Sequence, residues 1–270
     1  MRPIAIKILS NKKIFKMKKI FISLVWAITL TSTALAQEYK VSKSSGRLEI
    51  REVNHVSIEG YNGNEIVFST NDRHRESDER ALGLRALSSL GLEDNTGLGL
   101  SVVDKGNVIE VQQLKKTEGP EIKIKVPKGV VVSYVHTSPY GNEIEIKNFE
   151  GEIEVSTVHN GVVLTNVSGK TSVKTVHGDI DASLSGPISS ELSLESTHGH
   201  VDVAIPVNTK ATLSLRTSWG EVLVDPDFKI ELDRNGGLVN YSERITGKLN
   251  GGGTEVTLSS HHNNVYLRKK

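Results

Sequence analysis

A six-residue motif recurs along the second half of the chain, and it constrains the fold more than any other feature of the sequence. The motif consists of Ser or Thr, any residue, a ring-bearing residue, Gly or Asn, any residue, and then Val or Ile. Successive rings lie about twenty residues apart, except for a last gap of about twice that length, which predicts one degenerate copy around Asn240. The rings are those of Tyr140, His159, His177, His198, Trp219 and His262.

Each part of the motif has a physical reason. Gly or Asn supplies the positive φ that a tight turn between strands demands. The Val or Ile that follows restarts a strand with a β-branched side chain on the buried face. The Ser or Thr before the turn can hydrogen bond to the backbone of that turn. The predicted turn positions are Gly141, Asn160, Gly178, Gly199, Gly220 and Asn263.

The repeat predicts an all-β fold built by stacking. A unit of about twenty residues cannot bury its own apolar face, so neighbouring copies must share one core. The segments Ile122–Val126 and Val201–Ile205 alternate apolar and polar residues, which is typical of half-buried strands. We therefore expect a β-solenoid or roll-like stack over residues 120–270. The alternative is a β-sandwich, because short strands with regularly spaced turns also suit that fold.

The region before the repeats, residues 37–119, is β-rich but less regular. We expect it to cap the open strand edges of the stack and to be continuous with the repeats as one domain. Residues 71–99 form a polar, Gly-rich loop with one short predicted helix at 77–87, which begins at Ser77 and is closed by Gly91.

The first 36 residues have the features of a secretory signal peptide. They combine a basic region, an apolar run of about eleven residues and the small-residue exit Ala34-Leu35-Ala36. The apolar run is too short to span a bilayer, which takes about twenty residues. We predict cleavage before Gln37, with Met17 as an alternative start of the same signal. The protein is therefore expected in the periplasm or at the cell surface of a bacterial-type envelope, without a transmembrane segment in the mature chain.

Charge and cysteine content argue against several kinds of partner. The first 36 residues hold seven of the 33 basic residues and none of the 32 acidic ones, so the remainder has a net charge of −6. A nucleic-acid-binding protein would instead show clustered positive charge. The chain has no cysteine, and hence no disulfide, thiolate zinc site or cysteine nucleophile. We expect neither a nucleic-acid partner nor a cofactor.

Catalytic motifs are also missing from the sequence. It contains no Gly-x-Ser-x-Gly elbow, phosphate-binding loop or His-Glu-x-x-His motif. The pairs Glu143/Glu145 and Glu152/Glu154 have the i, i+2 spacing that places solvated side chains on one strand face. The sequence thus predicts a non-enzymatic protein, and a polysaccharide-active enzyme stays an alternative.

The ring positions are the candidate ligand-binding residues. In a stack, equivalent residues lie one strand spacing apart, about 4.8 Å. The six rings listed above could form a platform for sugar faces, or the imidazoles could share a metal ion with support from Asp179, His200 and Glu221. Alternatively the rings pack over the turns and stack on one another. We take the six residues as a hypothetical site for glycan, peptidoglycan or an envelope protein, and we predict no metal site.

Several segments together carry a resemblance to a known family. They are the His-Gly-Asp-Ile-type turns and the segments Val56–Ile66, Ile124–Val130 and Gly252–Arg268. In these segments the chain resembles the bacterial "putative adhesin" family, which comprises exported β-strand-repeat proteins of unknown function. The resemblance covers nearly the whole mature chain. It implies an envelope scaffold with an adhesive role and supplies no catalytic residues. The alternative function is a structural or sensing envelope protein that acts through assembly partners.

Overall fold

The structure is a computed structural model of the chain. It describes residues 38–70, 80, 83–233 and 244–270. The signal peptide expected at residues 1–36 and the degenerate copy expected around Asn240 lie outside these residues. The chain from Ala36 to Lys270 forms one compact unit.

The described residues form 21 β-strands and no α-helix, so the all-β prediction is confirmed. None of the described residues belongs to a helix long and apolar enough to cross a membrane. In chain order the strands are β1 (Glu38–Val41), β2 (Gly46–Arg51), β3 (Val56–Tyr61), β4 (Ile66–Thr70), β5 (Leu100–Asp104), β6 (Val108–Gln113), β7 (Ile122–Pro127), β8 (Val130–His136), β9 (Ile144–Lys147), β10 (Ile153–Thr157), β11 (Val162–Thr165), β12 (Thr171–Thr175), β13 (Ile180–Ser183), β14 (Leu192–Ser196), β15 (Val201–Ile205), β16 (Ala211–Thr217), β17 (Val222–Val224), β18 (Ile230–Leu232), β19 (Arg244–Leu249), β20 (Thr254–Ser260) and β21 (Val265–Lys269).

The strands build two large sheets that enclose one hydrophobic core. One sheet has ten strands, in the order β1-β4-β7-β3-β9-β11-β13-β15-β21-β17. The other has eleven, in the order β18-β19-β16-β20-β14-β12-β10-β8-β2-β6-β5. From β8 to β17 successive strands alternate between the two sheets, so one strand of each sheet makes one coil. The turns of all coils are thereby collected along two edges of the stack.

Neighbouring coils pair in parallel and in register. In the eleven-stranded sheet, Val155 lies opposite Val173, and Val173 lies opposite Leu194. All three side chains are buried, because every second residue of a strand points toward the core. A β-sandwich is built mainly from antiparallel strands. The in-register parallel coils therefore confirm the solenoid-like stack.

The last two strands do not extend the stack beyond β17. Instead, β20 lies between β14 and β16, and β21 lies between β15 and β17. After β17 the chain forms the antiparallel strands β18 and β19 at the end of the eleven-stranded sheet. The chain then returns as β20 and β21, which form a coil between the coil of β14 and β15 and the coil of β16 and β17. The strands β18 and β19 thus lie in the long stretch of chain between Trp219 and His262.

The N-terminal strands show a similar insertion. β2 lies between β6 and β8, and β3 lies between β7 and β9. Part of region 37–119 thus belongs to the interior of the stack. The remaining strands of this region close the end: β1 and β4 form an antiparallel edge of one sheet, and β5 pairs antiparallel with β6 in the other.

The connection between β4 and β5 contains the position of the expected short helix. Residues 77–79, 81 and 82 of the expected helix lie outside the described part of the chain. From Gly83 onward the chain forms turns and an isolated antiparallel bridge between Leu87 and Glu93. The Asp94 carboxylate accepts hydrogen bonds from the backbone N–H groups of several following residues, which organises the turn before β5.

The insertion of β20 can be tested with engineered cysteines, because the protein has none of its own. Ser193 lies opposite Thr257, and Thr257 lies opposite Ser214. We expect Ser193→Cys with Thr257→Cys to form a disulfide readily. Ser193→Cys with Ser214→Cys should not, because two strand spacings exceed the distance of about 7 Å that a disulfide can bridge. Non-reducing electrophoresis after mild oxidation measures this, and the reverse result would contradict the strand order.

Candidate functional site

A column of Ser and Thr hydroxyl groups holds the turns that lead from the eleven-stranded to the ten-stranded sheet. Thr175 Oγ1 donates to the carbonyl of Gly178 in its own turn, at 2.6 Å. Ser196 Oγ donates to the same carbonyl from the next coil, at 3.0 Å. These hydroxyls bind each turn both internally and to its neighbour, as predicted for this position of the motif. The in-register members of the column are Thr157, Thr175, Ser196, Ser260 and Thr217.

The glycines of these turns are required for a different reason from the one predicted. Gly141 has the expected positive φ, of 104°, but Gly178, Gly199 and Gly220 do not have positive φ values. A Cβ atom on Gly178 would lie 2.1 Å from the carbonyl oxygen of Asn160 in the preceding coil. The corresponding distances at Gly199 and Gly220 are both 2.2 Å. Glycine is needed here because the turn backbones of successive coils lie directly against each other.

Four of the predicted ring residues form a continuous stack, which we call the imidazole row. It consists of His159, His177, His198 and His262. The ring centroids are 5.4, 4.9 and 4.6 Å apart in that order, with interplanar angles of 16°, 7° and 6°. These distances follow the spacing of the coils. All four side chains are exposed on one edge of the stack.

The backbone fixes the spacing of the row. The N–H of His177 donates to the carbonyl of Val158, and that of His198 donates to the carbonyl of Val176, both at 2.8 Å. The parallel hydrogen-bond pattern of the strands therefore continues through the turns. The rings are therefore carried by a backbone that is hydrogen-bonded from coil to coil.

The two other predicted ring residues lie outside the row. Neither Tyr140 nor Trp219 makes a ring contact with any residue that the structure describes, and their side chains are 43% and 76% exposed. The register explains the position of Tyr140. His136 pairs with Thr157, so the turn after β8 is three residues longer than the later turns. Tyr140 is thereby displaced from the ring position of its coil.

The geometry of the row determines which part of each ring a ligand can reach. The faces of His177 and His198 are covered by their neighbours on both sides. What the row presents to solvent is a line of ring edges with their nitrogen atoms. Such edges hydrogen bond to a ligand, whereas a platform for sugar faces would need uncovered ring faces.

An open groove of about 690 Å³ lies beside the first half of the row. Its lining includes His159 and His177 together with the carboxylates of Glu143, Glu145 and Asp179. Glu145 forms an ion pair with Lys147, and Asp179 accepts a hydrogen bond from the backbone of His200. This flank of the row is therefore acidic.

His200 lies between two carboxylates on the outer face of the ten-stranded sheet. Its Nδ1 is 3.0 Å from Asp179 Oδ1, and its Nε2 is 3.1 Å from Asp181 Oδ1. The contact between Asp179 and His200, considered above as support for a metal ion, thus exists. Even so, no three His, Cys, Asp or Glu side chains among the described residues converge on a position that could hold a metal.

A buried histidine next to the site escaped the sequence analysis. His136 is fully buried at the end of β8, where the later coils have Ser or Thr. Asn54 Nδ2 donates to the carbonyl of Lys116, so Asn54 Oδ1 accepts from His136 Nε2, at 3.1 Å. His136 Nδ1 and Asn160 Oδ1 are left as two buried acceptors without partners. In the sequence, this buried position could be recognised only by aligning His136 with Thr157. That alignment is not apparent, because the motif in the coil of His136 is irregular.

Burial lowers the pKa of His136 below its ordinary value, and the Glu52 carboxylate and the Asn160 side chain oppose this shift. Protonation of Nδ1 would provide a donor for Asn160 Oδ1. It would also bury a positive charge, and the lowered pKa shows that the cost of burial is greater. His136 is therefore neutral in the folded protein at neutral pH.

Comparisons with known proteins yield two solved structures. The sequence matches no known family profile and no curated protein. A "putative cell adhesion protein" from Clostridium sporogenes ATCC 15579 is similar over 87% of this chain and 100% of its own, at 12% identity and a TM-score of 0.44. A "putative adhesin" from Bacteroides fragilis NCTC 9343 is similar over 86% and 96%, at 12% identity and a TM-score of 0.25.

The close approach at Gly178 predicts a specific instability. Gly178→Ala should lower the free energy of unfolding by about 1–3 kcal/mol, because the new Cβ meets a backbone carbonyl that cannot move aside. Gly186→Ala is the matched control, since a Cβ at Gly186 meets nothing within 4 Å and its φ is not positive. Urea unfolding measures both. Equal stability of the two variants would contradict the close-packing explanation.

The lowered pKa of His136 predicts how stability depends on pH. The unfolded chain takes up a proton near the ordinary histidine pKa of about 6.5, while the folded protein resists it. The stability contributed by neutral His136 is therefore fully present above pH 6.5 and is lost as the pH falls below that value. Urea unfolding between pH 7.5 and 5.5 should show this decline, and His136→Gln should reduce its slope. An unchanged slope in the variant would contradict the assignment.

Proposed function

We propose that this chain is an exported, non-catalytic binding protein of the bacterial cell envelope, and that the imidazole row is its recognition edge. The observation that carries the proposal is the exposure of four regularly spaced imidazoles on a hydrogen-bonded backbone. Rings needed only for packing would be covered, as Tyr134 and Phe149 are in the core. The motifs shared with the adhesin family agree with this role.

The chemistry of the row favours a glycan as its ligand. A neutral imidazole has one N–H donor and one acceptor nitrogen, which matches the hydroxyl groups of a sugar. The row repeats these groups every 4.6 to 5.4 Å along the stack. An extended polysaccharide lying along the edge could therefore meet the same pair of groups at each coil. Peptidoglycan and envelope proteins are the other ligands to be compared.

The two pairs of glutamates do not support a glycosidase. A general acid needs a raised pKa. In the pair Glu152/Glu154, the hydrogen bond from Arg47 instead lowers the pKa of Glu154. In the pair Glu143/Glu145, Glu145 is held in an ion pair with Lys147. Glu145 and Glu154 thus have the surroundings of surface ion pairs.

A triple variant tests the proposed edge. His159→Ala, His177→Ala and His198→Ala together should weaken glycan binding about tenfold or more, because three pairs of hydrogen-bonding groups are lost. The measurement is binding of purified protein to a panel of polysaccharides, peptidoglycan and matrix proteins. The matched control is Lys170→Ala, Ser185→Ala and Glu191→Ala, which changes exposed residues of the opposite edge.

Circular dichroism and thermal unfolding must show that both triple variants fold. Loss of binding in the row variant alone would support the proposal. Equal binding by both variants would mean that the ligand lies elsewhere on the protein. Binding of nothing in the panel would favour the alternative, a structural or sensing protein that acts through assembly partners.

A further inference from the structure

The strand insertion creates a cluster of three imidazoles at the far end of the row. His262 stacks on His198 at 4.6 Å, and His261 contacts the edge of the same His262 ring, also at 4.6 Å and at an angle of 79°. All three side chains are exposed. His261 occupies the variable second position of the repeat motif, and together with His262 it lies beside the coil of His198 only because β20 has returned next to β14.

Trp219 follows directly on this cluster in the stack. The backbone N–H groups of Ser218 and Trp219 both donate to the carbonyl of His261, at 3.2 and 3.1 Å. Ser218 Oγ lies 2.9 Å from His261 Nδ1. The Trp219 side chain is 76% exposed and has no ring contact with any described residue. Unlike the stacked imidazoles, Trp219 therefore has an indole face available for a ligand.

The cluster has no counter-charge of its own. Among the described residues, the ion pairs between histidine and carboxylate are those of His200, and none involves His198, His261 or His262. The acidic groove lies beside His159 and His177, away from the cluster. A proton taken up by the cluster thus creates a positive charge that a bound anion can neutralise.

The charged residues around the cluster are of both signs. Glu195 and Arg216 lie on the outer face of the eleven-stranded sheet, on either side of Ser259. Glu221 lies on the other flank, where its N–H donates to Asn264 Oδ1. His200 is the neighbouring titratable group on that flank, and it is already engaged by Asp179 and Asp181.

His262 also resists protonation when no ligand is bound. Loss of hydration and the neighbouring His198 and His261 lower the pKa of His262. An anion placed against the cluster would offset the repulsion between the rings, so its binding would be coupled to proton uptake. A metal ion would need converging nitrogen atoms, and the described side chains do not provide a group of this kind.

We propose that His198, His261, His262 and Trp219 form a subsite for an anionic sugar, with the indole face taking the pyranose ring and the imidazoles binding its acidic group at mildly acidic pH. Aromatic faces pack well against the C–H groups of a sugar ring, and protonated imidazoles donate charge-assisted hydrogen bonds. This inference rests on the proposed function, and it names the class of glycan and the part of the edge that recognises it.

Isothermal titration calorimetry of the purified protein at pH 5.5 and 7.5 tests the proposal. The probes are α-1,4-linked trigalacturonate and the matched neutral galactotriose, which has hydroxymethyl groups in place of carboxylates. Trigalacturonate should bind about tenfold more tightly at pH 5.5 than at pH 7.5, and galactotriose should bind weakly and without pH dependence. Galactose 6-phosphate, compared with galactose, shows whether a phosphate serves as well as a carboxylate.

Variants show which residues are responsible for the tighter binding of trigalacturonate at pH 5.5. His198→Gln with His262→Gln should abolish the increase in trigalacturonate affinity at pH 5.5. Trp219→Ala should weaken binding of trigalacturonate at both pH values. Lys170→Gln, at an exposed position on the opposite edge of the stack, should keep the tighter binding at pH 5.5. Circular dichroism at both pH values confirms that each protein is folded.

Two results would overturn the subsite. One is a trigalacturonate affinity that is equal at both pH values or equal to that of galactotriose. The other is a His198→Gln, His262→Gln variant whose trigalacturonate affinity still increases at pH 5.5 as it does in the unchanged protein. If neutral polysaccharides nevertheless bind through the row, the proposed function stands and only this inference fails. If nothing in the panel of the first experiment binds and trigalacturonate does not bind either, both fail.

Discussion

The parallel, in-register pairing of successive coils is the constraint on which the rest of the structure depends. It places every residue of a coil directly against its counterpart in the next, one strand spacing away. A repeated residue type therefore becomes a column with one chemical role. Thr175 belongs to a column of hydroxyls that holds the turns, Gly178 to a column that lets backbones approach, and His177 to the exposed row.

Much of this arrangement could be predicted from the sequence, because each copy of the repeat corresponds to one coil of the stack. The alternation of polar and apolar residues indicates strands, and a period of about twenty residues indicates a stack. Four of six predicted ring residues do lie in one row. The prediction was less good where the motif was irregular: the longer turn after β8 displaces Tyr140, and His136 occupies a position that elsewhere belongs to Ser or Thr.

Other features could not be predicted, because they depend on contacts between distant parts of the chain. Spacing along the sequence placed His262 after Trp219, whereas β20 brings it next to His198. A glycine in a turn suggests positive φ, and the sequence contains no sign that Gly178 is required by a carbonyl of another coil. Equally, a row of rings in a sequence does not reveal whether faces or edges reach the solvent.

The interior position of β21 gives the protein an unusual mechanical property. In a simple solenoid the last coil has one neighbour and can be peeled away one hydrogen bond at a time. Here β21 is hydrogen-bonded on both sides, to β15 and to β17, and both of these strands run parallel to it. A pull on the chain beyond Lys269 would load two strand interfaces in shear at once. Such an end is suited to bear tension along the strands.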